Sequence, residues 1–460
     1  MIVELTLFLL VILSSLLYYV NNKHLFSSQT EIPFLRKYLV LYVLAVSADW
    51  IQGPYMYDLY TTLGFSWQKI TAFYLTSFLS SAVAGTFVGA FSDYVGHRIS
   101  ALAYCVFYAV SALLKISSNS FAQFCSSATG GVACTLLYTV FDSWLVSEHK
   151  RIKASPQALS RSFSLESALS SVTAIIAGIV GSILVDGNGG FGLGPRAPFI
   201  AAAIVLFPCA ICVFCTMHPK PSVNSSDVAG GNGVCSLIRN AWSFLLRSER
   251  ACLVCVTQAL FESSMYVFVI LWTLVLRGDC SSTEKYLSTL GWIFSAFMVA
   301  MTTGSQIYGF CTSKKMNPFT ISSCSFIVAS FSLFLPCLVQ RFGLECKESE
   351  TATYVVFFCF LVFEGVCGVY YPVINDFKAK YFPSEICTGL MSISRVGQNI
   401  IITTVLLVSN FTSNAFLLFV ASMSLCLASF IHLYSTDDEK ASLDVSAVNE
   451  RLDDVKVGTD

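Results

Sequence analysis

Four carboxylates and one guanidinium stand inside long apolar runs of this chain: Asp49, Asp142, Glu262, Glu364 and Arg395. In a bilayer each such charge is costly enough to mark a solute or ion path, a proton relay or a pair that joins helices. Asp49 lies in Ser47-Ala48-Asp49-Trp50-Ile51-Gln52-Gly53-Pro54-Tyr55, where proline removes a helix hydrogen bond and frees backbone groups beside the acid. Gln258, Glu262 and Tyr266 recur at a spacing of four, which puts them on one helix face. Asp142 is followed closely by Trp144, Glu364 sits midway along its run, and Arg395 is the one Arg or Lys well inside a run. Two readings stay open for these groups: they face a cavity, or they neutralise one another and only hold a bundle together.

The elements that must position them are membrane helices. With 460 residues, 55% of them hydrophobic and 12% charged, and a mean hydropathy of +0.69, the chain cannot be spread over a water-facing globule. At ~20 residues per span, the apolar runs predict a leading helix over 2–20 and six spans near 36–60, 70–91, 99–115, 120–146, 163–185 and 197–216. Six more are expected near 251–276, 287–310, 318–340, 353–376, 388–409 and 413–434. The expected fold class is therefore an all-α polytopic membrane protein built from two pseudo-symmetric six-helix halves, 36–216 and 251–434. One extra N-terminal helix and a cytosolic link fill 1–35, a cytosolic linker 217–250, and an acidic disordered cytosolic tail 435–460. Residues 238–246 are expected to form a short amphipathic helix at the surface. The leading helix carries Glu4 and no base ahead of it, so it reads as a retained helix rather than a signal peptide.

Charge sets the orientation. Loops on the side of Asp93 carry sixteen Lys or Arg before the tail and the opposite loops six, which puts the N-terminus outside and the C-terminus in the cytosol. The stretch Gly89 to Arg98 reads as a tight turn between two spans, with Gly89 and Gly96 for close approach and reversal and Asp93 and Arg98 for charge pairing. Asp93 is expected to stabilise the inward-closed arrangement by meeting Arg98 and the helix N-terminus near Thr388, at ~1 kcal/mol for each contact. The same topology brings Cys280 and Cys346 to two exoplasmic loops, where they would form a disulfide given a Cα separation below ~7 Å.

Several classes are set aside. A net charge of −1 with scattered bases gives no footprint for nucleic acid. Most of the 18 cysteines lie in apolar runs, and Cys252-x-x-Cys255 and the series Cys209, Cys212, Cys215 have no histidine or further thiol to complete a metal site; no cofactor is implied. Gly187, Gly189 and Gly192 spell a dinucleotide fingerprint but sit between membrane helices without a βαβ unit. The sequons at Asn224 and Asn410 fall in a cytosolic segment and in a very short turn. Single charges opposed across two halves are unlike the charged rings of a channel, and no nucleophile stands with a base as an enzyme would need.

The pattern Gly89-x-x-x-Asp93-x-x-Gly96-x-Arg98 resembles the loop between the second and third helices of the major facilitator superfamily. The runs Ala48 to Tyr57, Phe141 to His149, Leu193 to Phe199, Gln258 to Ser263 and Gly368 to Pro372 are similar to its molybdate-anion transporter branch, and the resemblance spans nearly the whole chain. It implies a monomeric plasma-membrane protein that takes up molybdate by alternating access, with protons as a candidate coupling ion and the bilayer as its surroundings. Under it, Arg395 would pair two oxygens of the tetrahedral anion, and Trp50, Gln52, Tyr55, Trp144 and Gln258 would donate neutral hydrogen bonds. Asp49 and Glu262 would be proton carriers, since a low-dielectric site favours the neutral acid. The competing reading has Glu364 or Asp142 neutralise Arg395, and the cargo then need not be an anion. A carrier of another solute, or a transport-inactive sensor or scaffold, stays open as well. Two departures stand out: His97 replaces a usual base in the loop, and Ser127 stands in the fourth span where the superfamily often has arginine.

Overall fold

Apolar runs of bilayer length can satisfy their backbone groups in lipid only as helices, and helices are what they form. The computed structural model describes residues 2–22, 33–153, 156–186, 193–218, 242–277, 283–342, 350–382, 387–409 and 411–434. The helices are α1 (Ile2–Asn22), α2 (Pro33–Trp50), α3 (Met56–Thr62), α4 (Trp67–Val95), α5 (His97–Lys115), α6 (Ser120–Arg151) and α7 (Pro156–Val185). They continue as α8 (Ala197–Thr216), α9 (Glu249–Arg277), α10 (Thr283–Ser313), α11 (Pro318–Arg341), α12 (Glu350–Tyr381), α13 (Cys387–Ser409) and α14 (Asn414–Tyr434). Nine of them, among the described residues, contain a stretch long and apolar enough to cross a membrane. Large apolar side chains such as Phe87, Phe121 and Phe207 stand exposed on the outside, as a lipid-facing surface requires.

Two local expectations change. The run expected as one span over 36–60 is broken: α2 stops at Trp50, a 3-10 turn covers Gly53–Tyr55, and α3 resumes at Met56. Pro54 has no N–H to continue the ladder, so the helix breaks just before it, beside Gln52. The turn expected over 89–98 contracts to Gly96, because α4 runs through Gly89 and Asp93 to Val95 and α5 begins at His97. Gly96 reverses the chain at φ 89°, a backbone region that side chains disfavour, while its N–H reaches the Ser92 carbonyl at 2.9 Å. An apolar context sustains the helix until a residue that can adopt that φ ends it.

The helices pack in two groups. In the N-terminal group α6 lies against α4 and α5, and α8 against α2 and α5; in the C-terminal group α12 lies against α10 and α11, and α9 against α12 and α13. Reciprocal serine pairs tie neighbours together, Ser111 with Ser126, Ser323 with Ser429 and Ser330 with Ser422, each hydroxyl donating to the other residue's carbonyl at 2.8–3.0 Å. Hydroxyls suit this role in lipid, where they satisfy backbone and neighbour together. The extra helix α1 docks on α10, burying Leu7 and accepting at Ser14 Oγ from Gln306 Nε2 at 3.2 Å.

Successive helices return the chain from side to side, so Trp67, Lys115, Arg277, Arg341 and Asn414 share one end of the bundle and Gly96, Arg151 and Lys314 the other. The two groups meet through α7 with α10 and α4 with α13.

Candidate functional site

Helix α2 sends its charged and aromatic residues in opposite directions. The Asp49 carboxylate accepts from the Tyr108 hydroxyl of α5 and from the Tyr138 hydroxyl of α6 at 3.0 Å, inside the N-terminal group. Lys115, only 6% exposed at the end of α5, faces the same carboxylate electrostatically, with the Phe199 ring 5.8 Å from its Nζ. Trp50, the next residue, lies at the seam: its Nε1–H donates to Ser170 Oγ of α7 at 3.3 Å within its own group, and its ring lies 6.0 Å from that of Phe294 in the other group. Gln52 spends its amide N–H on the Ala48 carbonyl at 2.7 Å, and its Oε1 has no partner among the described residues. Tyr55 is fully buried against Gly181 and Gly291, between the two groups.

Nearer the Gly96 end, a second acidic cluster joins three helices. Tyr38 of α2 donates to Glu166 of α7 at 2.7 Å, and Asp142 of α6 lies within electrostatic reach of Glu166. Trp144 is 6% exposed with its ring 5.5 Å from that of Tyr38, so it packs inside the group. Glu166 and Lys115 are the residues that sequence reasoning passed over. Both fall at the ends of predicted spans, where a charge is ordinary, and only helix packing shows them buried.

In the C-terminal group, Tyr370 of α12 donates to Glu262 of α9 at 2.9 Å, the same kind of carboxyl–tyrosine bond that Tyr138 makes with Asp49. Tyr371 reaches Met265 Sδ at 3.2 Å. Gln258 is 4% exposed with Oε1 unpartnered among the described residues. Glu364 is 8% exposed and makes no hydrogen bond or ion pair with any described residue.

The side chains of Gly89, Asp93 and Arg395 lie outside the described residues, as do Cys280 and Cys346, the glycines of 187–192, Asn224, Asn410, most of the linker and the tail. The Arg98 guanidinium lies over the Phe214 ring of α8 at 4.0 Å, and its expected pairing with Asp93 falls outside the described residues.

The groups are joined at the Trp67 end. Arg277 Nη1 meets Asp58 Oδ1 at 3.2 Å, Trp67 Nε1–H donates to the Ser409 carbonyl at 3.4 Å, and Phe78 and Tyr266 pack edge to face at 4.9 Å. Ser295 of α10 donates to the Ile175 carbonyl of α7 at 2.9 Å, and Gly178 and Gly291 bring those two backbones into contact. An open depression of about 510 Å³ at this rim is lined by Tyr57, Trp67, Arg341, Ser409 and Asn414, away from the buried acids. No group of three or more metal-ligating side chains occurs among the described residues. The chemistry available is thus charge handling in a water-poor interior, with two bodies touching at one end.

Comparison with known proteins agrees with this architecture. A family of the major facilitator superfamily described as sugar transporters with 12 transmembrane segments matches residues 4–363. A molybdate-anion transporter of Xenopus laevis is 30% identical over 416 residues, 88% of this chain and 86% of that protein. One from Takifugu rubripes is 29% identical over 372 residues, 76% of this chain and 74% of that protein. Among solved structures, an aspartate-to-alanine variant of the nucleoside transporter NupG superposes with a TM-score of 0.69 at 12% identity, covering 87% of this chain and 99% of that one. A D-xylose–proton symporter superposes at 0.65 and 13% identity, covering 87% and 96%.

Proposed function

The chain belongs to this 12-span transporter family of the major facilitator superfamily, and from that premise we propose that it is a secondary transporter for molybdate, working by alternating access. It is a multi-pass membrane protein with a transporter fold. The observation that carries the cycle is the closure at the Trp67 end. There Asp58–Arg277, Tyr55 against Gly291, Trp50 against Phe294 and Trp67 with Ser409 close one face of the bundle with contacts weak enough to be remade. With the charge asymmetry of the loops, this end is read as exoplasmic, the chain as a plasma-membrane monomer with N-terminus outside and C-terminus inside, and the groups as halves 36–216 and 251–434. Tags at the two chain ends, probed on intact cells, should then differ in accessibility; equal accessibility refutes the thirteen-span count.

Molybdate as cargo rests on the relatives, which the chain matches over most of its length. The proposed anion partner is Arg395, with Trp50, Gln52, Tyr55 and Gln258 as neutral groups and Asp142, Trp144 and Glu364 behind them. Uptake by the purified protein in sealed vesicles, across a panel of oxyanions and sugars with and without a pH gradient, tests this. Arg395→Gln should weaken molybdate uptake roughly 10- to 100-fold, the worth of a charged hydrogen-bonded pair, and Arg395→Lys should recover only part of it. Unchanged affinity in both variants removes Arg395 from the site. One observation favours a neutral, hydroxyl-bearing cargo instead: Gln52 and Gln258 both leave an amide oxygen without a donor among the described residues. Uptake of a sugar and of no oxyanion would decide for that reading.

A further inference from the structure

Helix α10 divides one face between two partners. Gly291, Ser295, Thr302 and Gln306 follow one another at spacings of four, seven and four, so they lie along a single side of the helix. Toward the Trp67 end that side meets α7: Gly291 lies against the Gly178 carbonyl, and Ser295 donates to the Ile175 carbonyl at 2.9 Å. About three turns further in, ~16 Å along the axis, it meets α1 instead, where Gln306 Nε2 donates to Ser14 Oγ at 3.2 Å. Helix α1 is shaped for this seat. Val3, Leu7, Leu10 and Ser14 recur at spacings of four, three and four; Leu7 and Ser14 are buried, and Val3 and Leu10 half-buried against the same core. Leu5, Phe8, Leu9 and Ile12, on the other sides of α1, are exposed as lipid contact requires. The α7 side of the seam continues past its present partner. Ser171 lies about two turns before Gly178 on the same face, and its Oγ donates to the Ser167 carbonyl at 3.1 Å in exposed surroundings. Because α7 and α10 run in opposite directions, Ser171 and Ser167 fall level with the stretch of α10 between Ser295 and Gln306.

We propose that α1 is a built-in lock on the conformation described here. It fills the inner part of the α10 face that α7 needs when the bundle closes at the Gly96 end, so the Trp67 end opens as α1 leaves Gln306. Helices in lipid have no hydrophobic force to hold them together; a face goes to the neighbour that packs and hydrogen-bonds better. Here α1 and α7 offer the same kind of contact, a serine hydroxyl on a small or apolar stripe, to adjoining parts of one side of α10. A contact that must break in each cycle biases the two-state equilibrium by its own worth and no more, which makes α1 a modest lock rather than a permanent one. The proposal rests on the alternating-access reading but not on the identity of the cargo.

The test pins α1 in place. In the full chain in vesicles, Ser14→Cys and Gln306→Cys together, joined by a reducible bifunctional thiol reagent, should arrest uptake, and reduction should restore it. Each single variant treated in the same way controls for the native cysteines, and mass spectrometry of the joined peptides gives the yield. Full uptake by protein joined at those two positions overturns the proposal. A second readout needs no substrate: labelling of a Ser295→Cys reporter by a membrane-impermeant thiol reagent. It should rise roughly 3-fold when Ser14→Ala is added, which is what one interhelical hydrogen bond in a membrane is worth, and also when Leu7→Ala is added. Leu9→Ala, on the lipid-facing side of α1, should leave it unchanged. Equal labelling with and without Ser14→Ala and Leu7→Ala overturns the lock. If no member of the substrate panel is taken up at all, that counts against the transport reading, while the labelling still decides whether α1 holds the seam.

Discussion

Gly291→Leu is expected to abolish uptake and to leave the bundle open at the Trp67 end. A Cβ at this position would overlap the Gly178 carbonyl of α7 and press on the Tyr55 hydroxyl and Ser182. Two of these neighbours belong to helix α7 and the third is a fully buried tyrosine, so none can move aside cheaply. Overpacking costs ~1–3 kcal/mol in a core that can relax, and a branched side chain wedged between two backbones belongs at the upper end of that range. At the upper end the cost shifts a balanced two-state equilibrium about 100-fold. Because the wedge acts only where the groups touch, each group should still fold. The check is a Ser295→Cys reporter, buried in the closed seam, treated with a membrane-impermeant thiol reagent and read by mass spectrometry at that residue alone. Labelling should rise strongly when Gly291→Leu is added. A seam that becomes reactive while uptake stays intact would show that α7 and α10 need not close for transport.

The ion pair at the same end should have the next largest effect. Asp58 is 2% exposed and Arg277 31% exposed, so removing the arginine strands a carboxylate that has little water to turn to, and its Oδ2 already lacks a partner among the described residues. Breaking a fully buried pair costs ~3–5 kcal/mol, and the partial exposure of Arg277 reduces this to about 2 kcal/mol. Arg277→Gln should thus open the Trp67 end roughly 30-fold more often and lower uptake accordingly. Adding Asp58→Asn removes the stranded charge and should restore much of the loss, because deleting both partners is far milder than deleting one. A double variant as impaired as Arg277→Gln alone would place the cost in a contact of Arg277 other than Asp58.

Much of the architecture was legible because lipid leaves a chain few options. Expected spans at 99–115, 197–216 and 318–340 became α5, α8 and α11 with almost the same bounds, since the helix must persist while the surroundings stay apolar. Gly53-Pro54 was expected only to loosen a single span over 36–60, and it broke that span instead. The turn around Asp93 did not follow its glycines: Gly89 stayed helical and Gly96 alone reversed the chain, because a glycine permits a turn without requiring one. In the candidate site, the partial burial of Asp49 and Glu262 and the burial of Glu364 followed from their place in the apolar runs. Their partners did not, since Tyr108, Tyr138 and Tyr370 lie on other helices at distances along the chain that no local pattern encodes.

By itself the sequence determined that this is a helical membrane protein, where its spans run, and which residues are charged inside them. These follow from hydropathy and from the cost of unpaired backbone in lipid, both properties of single segments. Only the tertiary structure decided which acids are answered: Asp49 by two tyrosines, Glu166 by Tyr38, Glu364 by no described residue. It also decided that Lys115 is a buried cation and that the two groups touch at the Trp67 end through Gly178 and Gly291. Rotation of each helix about its axis settles these matters, and in a uniformly apolar helix that rotation is set by the fit of its neighbours rather than by its own pattern.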